Sequence, residues 1–198
     1  MTGIVTKVQK LTKEFYLQKT EVVAKELLGK KLVYGNKAAI IVETEAYIPE
    51  NDPANHAARG KTMRNEAMHE AGGILYVYKI YGIHYCSNVV TESSGMGCAV
   101  LLRAAMPISG IDEMKHNRNT DKIENLCKGP GNLAKAFGFN HELNFATLDS
   151  DELFIADDGE IPQSEIISDK RIGISKAVEL PLRFYLANNP YVSGKKIR

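Results

Sequence analysis

The chain has 198 residues, 44% of them hydrophobic and 25% charged, with 16 Gly and 7 Pro. That composition excludes a wholly disordered, collagen-like or low-complexity protein, and a chain of this length can bury roughly 70% of the surface its unfolded form exposes. The net charge of +1 hides a segregation: residues 141–170 hold nine carboxylates and one lysine, leaving 24 basic and 15 acidic residues elsewhere.

Thr20 followed by EVVAKELLG reads as a helix. Thr20 is its expected N-cap, Glu21 lies in the first turn, Val22, Val23, Leu27 and Leu28 supply the apolar side, and Gly29 is the stop. AIIVETEAY (39–47) reads as a strand that places Ile41, Glu43, Glu45 and Tyr47 on one face. ILYVYKIYG (74–82) is a second strand, with Ile74, Tyr76, Tyr78 and Ile80 facing one way. Gly82 then turns the chain into IHYCSNVV (83–90), the return strand of a hairpin. CAVLLRAAMP (98–107) is a third strand, closed by Pro107. Short helices are expected after Ser109 and after Thr120, with another over NLAKAFG (132–138). Residues 141–165 are acidic and irregular in pattern, and RIGISKA and LPLRFYL (171–186) return to β-like or mixed character. With no internal repeat and no Ser/Gly-rich linker, the order predicts one α+β domain over residues 1–198 with mainly antiparallel pairing.

No apolar run approaches the roughly 20 residues of a membrane helix, and the opening MTGIVTKVQKLTKEF lacks the apolar stretch of a signal peptide. Cys86, Cys98 and Cys127 form no C-x-x-C pair, so neither a disulfide scaffold nor a four-cysteine zinc or iron–sulfur site is expected. A cytosolic, reduced, metal-free protein is the expectation. Residues 1–40 carry eight lysines against three glutamates, and Lys195, Lys196 and Arg198 end the chain. Such a basic part could face a polyanion while the acidic stretch points away, or the charge could be ordinary solvated surface.

Several residues could carry chemistry. Glu43 and Glu45, ending an apolar strand, are either solvated at a sheet edge or held in a site. Arg103 is the only charge between Ala99 and Pro107 and is a natural partner for a carboxylate or a phosphate. Tyr76, Tyr78, Tyr81 and Tyr85 are four of the nine tyrosines, and alternating rings on a strand can simply form a half-buried sheet face. Tyr81 differs, because Tyr-Gly falls at the hairpin apex, where a ring either folds back or projects far enough to wedge between stacked bases. His56 stands alone in a loop, and the five histidines show no zinc-ligand spacing. Asn88 is either a ladder residue or an amide that reads a base edge. Gly-Pro-Gly in KGPGNLAKAFG (128–138) is either a plain helix start or a backbone grip on phosphate.

Taken together, VETEAY (42–47), the step from Glu45 to His56, T-x-R-N (62–65), LYVYKIYG…YCSN (75–88), VLLRA (100–104), RIGI (171–174) and LPLRFY (180–185) resemble the alkyladenine (3-methyladenine) DNA glycosylase family, from about residue 15 to 193. The resemblance implies a curved, open-barrel-like sheet with surrounding helices and a protruding hairpin. It also implies a cofactor-free monomer that meets double-stranded DNA from the minor-groove side, in the cytoplasm or, in a bacterium, at the nucleoid. Such enzymes hydrolyse the N-glycosidic bond of alkylated or deaminated purines without a lyase step. By motif position Glu45 would activate water, with Arg103 and the Ile172 carbonyl helping to hold it. Tyr47, His56 and Tyr78 would line the base pocket, Asn88 would form its floor, and Tyr81 would fill the gap in the stack. Thr62 and Arg64 would meet the DNA backbone. The chain departs from the family pattern at Asn55, where Ser is common, at Met63, where Pro occurs, and at Ala71-Gly72, which replaces Pro-Gly.

The chemistry of these residue types agrees with that reading. A base inside a duplex must be flipped out at a cost of a few kcal/mol before its C1′ can be reached. An electron-poor alkylated purine is drawn to tyrosine faces by about 0.5–2 kcal/mol. Its departure leaves an oxocarbenium-like sugar that a carboxylate stabilises while deprotonating water. Two other classes fit parts of the sequence: a single-strand nucleic-acid binding module with a tyrosine platform, and a small-molecule transferase or hydrolase on a similar fold.

Overall fold

A computed structural model describes residues 9–194, so the basic C-terminal residues and the first eight residues lie outside the described part. Eight strands form one antiparallel sheet: β1 (Lys31–Tyr34), β2 (Lys37–Tyr47), β3 (Leu75–Ile80), β4 (His84–Val90), β5 (Ala99–Ser109), β6 (Leu153–Ala156), β7 (Ile166–Asp169) and β8 (Arg183–Leu186). The main path runs β3-β4-β5-β2-β1-β6, with β8 pairing to β2 and β7 pairing to β8. One edge of β2 is therefore divided: Lys37–Ile40 pair with β1 and Glu43–Glu45 pair with β8. This branching curls the sheet into a half-barrel, the curved single-domain α+β fold expected.

Helices α1 (Lys13–Tyr16), α2 (Thr20–Glu26), α3 (Ile111–Arg118) and α4 (Pro130–Phe137) pack around it. The main core joins Val23 and Ala24 of α2, Met114 of α3, and Leu133 and Phe137 of α4 to Leu32, Ile41, Ala46, Leu75, Val100 and Leu102 of the sheet. Each such large apolar side chain contributes roughly 1.5–3 kcal/mol on full burial.

Several sequence expectations are corrected. Thr20 is the first helical residue, not the cap: its N–H and hydroxyl both donate to Glu92 Oε1, at 3.0 and 2.6 Å, so a distant carboxylate caps α2. A register shift around Val42 breaks the alternation on β2. Ile41 and Ala46 join the main core, whereas Val42 packs with Ala104, Tyr185 and Val192. Ile41 therefore does not share a face with Glu43 and Glu45. Pro107 does not close β5, which runs on to Ser109 with Pro107 opposite Ala39. β4 pairs only with Ala99–Leu101, so the missing N–H of Pro107 breaks no ladder bond on that edge. After Thr120 there is only a 3-10 turn (Ile123–Asn125), and residues 171–182 form no strand.

The acidic stretch is not irregular throughout. It contains β6, and Asp151, Asp157 and Asp158 pair with Lys10, Lys30 and Lys31 at 2.9, 2.6 and 3.0 Å. Those N-terminal lysines are therefore tied to the acidic segment and do not form part of a free basic face. Among the described residues no helix is long and apolar enough to cross a membrane.

Candidate active site

The end of β2 carries Glu43 and Glu45 into the interior, where both are fully buried. Arg103 on the neighbouring β5 lies between them, with Nη1 3.1 Å from Glu45 Oε1 and Nε 3.2 Å from Glu43 Oε1. Its Nε finds no hydrogen-bond acceptor among the described residues, so charge rather than aligned hydrogen bonding holds that edge. Glu45 also accepts the Ile172 N–H at 2.8 Å on Oε1 and the Tyr47 hydroxyl at 3.0 Å on Oε2. Burial raises the Glu45 pKa, opposed by Arg103, the Ile172 amide and Tyr47 and reinforced by Glu43. A carboxyl so placed is a stronger base than a solvated one.

Arg171 holds the next residues in place. Its guanidinium is bidentate to Asp52, both contacts at 2.6 Å, and donates to the Ala46 carbonyl at 2.9 Å. It also lies 4.6 Å from the centre of the Tyr47 ring. Asp52 in turn accepts the N–H groups of Ile48 and Ala54. One buried pair thus fixes the ring of Tyr47, the loop after β2 and the backbone that delivers the Ile172 amide.

A pocket of about 260 Å³ opens in front of this cluster. Tyr47, Arg103 and Ile172 form the wall nearest Glu45, His56, Tyr76 and Tyr78 the aromatic side, and Cys86 and Asn88 part of the remainder. Glu45 itself has no exposed surface there. His56 Nδ1 lies 3.0 Å from the Tyr76 hydroxyl, and its ring meets Tyr78 edge-on at 4.6 Å. That packing, followed by the charge of Arg64, lowers the His56 pKa and keeps the ring neutral at pH 7. Asn88 donates Nδ2 to the Tyr76 carbonyl at 3.0 Å, which fixes the amide across the β3–β4 ladder. Burial raises the Tyr78 hydroxyl and Cys86 thiol above their ordinary ranges.

Local hydrogen bonds explain why an irregular loop can hold His56. Asn65 accepts the Thr62 N–H at 2.6 Å and donates to the His56 and Gly60 carbonyls, each at 3.0 Å. Asn55, where the family pattern has Ser, donates to the Ile48 and Gly97 carbonyls at 2.7 and 2.9 Å. Thr62 and Arg64 are exposed, and Arg64 lies against the hairpin, donating to the Lys79 carbonyl at 3.2 Å. At the hairpin tip Tyr81 takes φ +51 and Gly82 φ +71, a left-handed pair that a large side chain adopts only under constraint. Tyr81 is 82% exposed and Ile83 72%, so the ring projects and does not fold back.

The structure brings Glu45, Arg103, Ile172, Tyr47, His56, Tyr78, Asn88 and Tyr81 to one pocket or its immediate backing. Ile172 reaches Glu45 through its amide, a contact separate from the role expected of its carbonyl in holding water. Arg171, Asp52 and Arg183 escaped that reading, although Arg183 in LPLRFYL carries the signal that marked Arg103, one charge inside an apolar run. Gly-Pro-Gly starts α4 with Pro130 in the first turn, and Pro130 also borders the pocket. Among the described residues no cluster of His, Cys, Asp and Glu is disposed for a metal, and the three cysteines are free and buried.

A family model described as methylpurine-DNA glycosylase matches residues 14–190. A curated relative from Methanoculleus marisnigri is 45% identical over 187 residues, covering 91% of this chain and 97% of its own. One from Francisella tularensis subsp. tularensis is 46% identical over 184 residues, covering 89% and 95%. A third, from Chlorobium phaeobacteroides, is 42% identical over 193 residues, covering 95% and 97%. Each is named "Putative 3-methyladenine DNA glycosylase".

Proposed function

The chain belongs to the methylpurine-DNA glycosylase family, and from that premise we propose that it excises alkylated or deaminated purines from duplex DNA as a monofunctional base-excision repair enzyme. The observation that carries the reading is Glu45: a buried carboxylate with raised basicity, held by Arg103, Tyr47 and the Ile172 amide behind a base-sized aromatic pocket.

In this mechanism the damaged nucleotide leaves the stack and Tyr81, entering from the minor groove, fills the vacated space. The base slides between Tyr47 on one side and His56 and Tyr78 on the other. Asn88, tethered to the Tyr76 carbonyl, stands as fixed bulk against the 2-amino group of guanine. The attacking water must displace one of the donors on Glu45. The Tyr47 hydroxyl is the natural one to yield, because Tyr47 is only partly buried and borders the pocket. As the glycosidic bond breaks, its electron pair leaves with the base and the Glu45 carboxylate balances the oxocarbenium-like sugar. Glu45 then takes a proton as the water oxygen bonds to C1′. A cationic alkylated base leaves neutral, and an uncharged base leaves as an anion that gains its proton from solvent. Arg103 keeps the carboxylate aimed, and the Ile172 backbone closes the far side. Thr62 and Arg64 sit where they can meet the DNA backbone.

The deciding experiment is single-turnover base release from duplexes carrying hypoxanthine, ethenoadenine or 3-methyladenine, with abasic sites revealed by hot alkali. Wild type should release at least one of these bases, and no strand should break before alkali. Glu45→Gln should lose at least about a hundredfold in rate, the scale of general-base catalysis, while still binding lesion duplex. Release by Glu45→Gln within a few-fold of wild type removes Glu45 as the base. Tight DNA binding with no release by wild type leaves a nucleic-acid binding module.

A further inference from the structure

Glu43 is as deeply buried as Glu45, yet the mechanism above gives it no task. Its own partners leave it no freedom: Arg183 Nε donates to Oε1 at 2.6 Å and the Ser193 N–H to Oε2 at 2.6 Å. Arg183 is in turn fixed by Asp169 at 3.1 Å and the Ser193 carbonyl at 2.8 Å. The remaining contact of Glu43 is the Nε edge of Arg103, the edge that finds no aligned acceptor.

We propose that Glu43 is a positioning residue of the reaction site: it takes the Nε edge of the Arg103 guanidinium and so divides that cation between two carboxylates, leaving Glu45 a single arm, Nη1. The inference rests on the reading of Glu45 as the general base. Its physical content is a balance of charge. If Arg103 turned both arms to Glu45 it would form a bidentate pair, the geometry in which a carboxylate is least basic. Glu43 prevents that by holding the opposite edge, and Arg183 with the Ser193 amide keeps Glu43 from following Arg103 toward the pocket. β2 supplies both carboxylates because residues two apart on a strand point to the same side, and the irregularity around Val42 takes Ile41 off that side and leaves Glu43 beside Glu45.

The groups that face Glu45 from the packed elements are Arg103 from β5, Glu43 and Tyr47 from β2, Tyr78 from β3, Cys86 from β4, and Arg171 beside Ile172. Of these, only Glu43 raises the Glu45 pKa as a charged neighbour, so removing its charge has a defined sign.

The test is the pH profile of single-turnover release from a hypoxanthine duplex for wild type, Glu43→Gln, Glu43→Asp, the charge-balanced double variant Glu43→Gln/Arg183→Gln, and Glu45→Gln. In Glu43→Gln the acid limb should move down by about one pH unit, because Glu45 gains the whole guanidinium. The plateau should fall about threefold as the base weakens. The double variant, which removes one charge of each sign, should show a shift in the same direction, and it gives the answer if the single variant does not fold. Glu43→Asp, which restores the charge, should return the limb toward the wild-type position. A merely structural Glu43 would lower the amount of folded enzyme and leave the pH of the limb unmoved in every variant, and that result overturns the proposal. Near-wild-type release by Glu45→Gln would instead overturn the assignment of the base.

Discussion

At the scale of single residues, the burial of Glu45, the proposed base, has a defined consequence for stability. Its raised pKa means that the folded protein holds the Glu45 proton more tightly than the unfolded chain does. The contribution of this group to stability is therefore full below the ordinary glutamate value of about 4.3 and is lost as pH rises through the folded value. Glu45→Gln keeps the side-chain shape and does not titrate. Its melting temperature relative to wild type should climb as pH rises above the ordinary glutamate value of about 4.3 and level off once the wild-type carboxylate has ionised in its buried site. A difference that stays flat or shrinks over that range would show that Arg103, the Ile172 amide and Tyr47 fully compensate the burial. Tyr81 is the opposite kind of residue, 82% exposed on a strained backbone and, among the described residues, without a hydrogen bond that would explain its place. Base–aromatic stacking is worth about 1–3 kcal/mol, so Tyr81→Ser should weaken binding to lesion duplex by about tenfold while melting as wild type does. Unchanged affinity would remove the wedge.

At the scale of elements, the site depends on a loop and a coil segment pinned to the sheet by one ion pair. Asp52–Arg171 joins the segment after β2 to the segment before β8, and both side chains are fully buried. Asp52→Ala leaves the guanidinium without its counter-charge and should cost about 3–5 kcal/mol, readable as a drop in the denaturant midpoint. Loss of less than about 1 kcal/mol would mean that the Ala46 carbonyl and the Tyr47 ring suffice to hold Arg171. The strands of the hairpin, β2 and β5 were legible in the sequence because alternation and β-branched runs are local signals. So were Glu45, Arg103 and Tyr81, each an anomaly inside its own element. What the sequence concealed is non-local. The shift around Val42 depends on β5 and β8 pairing to opposite edges of β2, and nothing within 39–47 marks it. Glu92 caps α2 from 72 residues away, so Thr20 resembles a cap in sequence and is not one in space. Asp52 and Arg171 are ordinary loop charges until the fold sets them 2.6 Å apart.

At the scale of the whole molecule, charge is distributed along the sheet order. β1 and β6 lie at one end, where Lys10, Lys30 and Lys31 are neutralised by Asp151, Asp157 and Asp158. β3 and β4 lie at the other end, where Lys79 is exposed two residues before Tyr81 and Arg64 is exposed beside it. Net charge therefore says little about DNA binding by this protein; the position of unpaired cations relative to the pocket says more. Each phosphate contact releases condensed counterions and steepens the salt dependence of binding by about one unit of slope in log K against log salt. Lys79→Gln should therefore reduce that slope by about one on both lesion and undamaged duplex, because a phosphate contact carries no sequence information. Lys31→Gln should leave the slope unchanged, since its cation is already matched by Asp158 at the far end of the sheet. Titrations of both variants between low and moderate salt separate the two cases. Equal slopes for Lys79→Gln and Lys31→Gln would place the DNA track away from the β3–β4 tip, and Tyr81 would then have no duplex to enter.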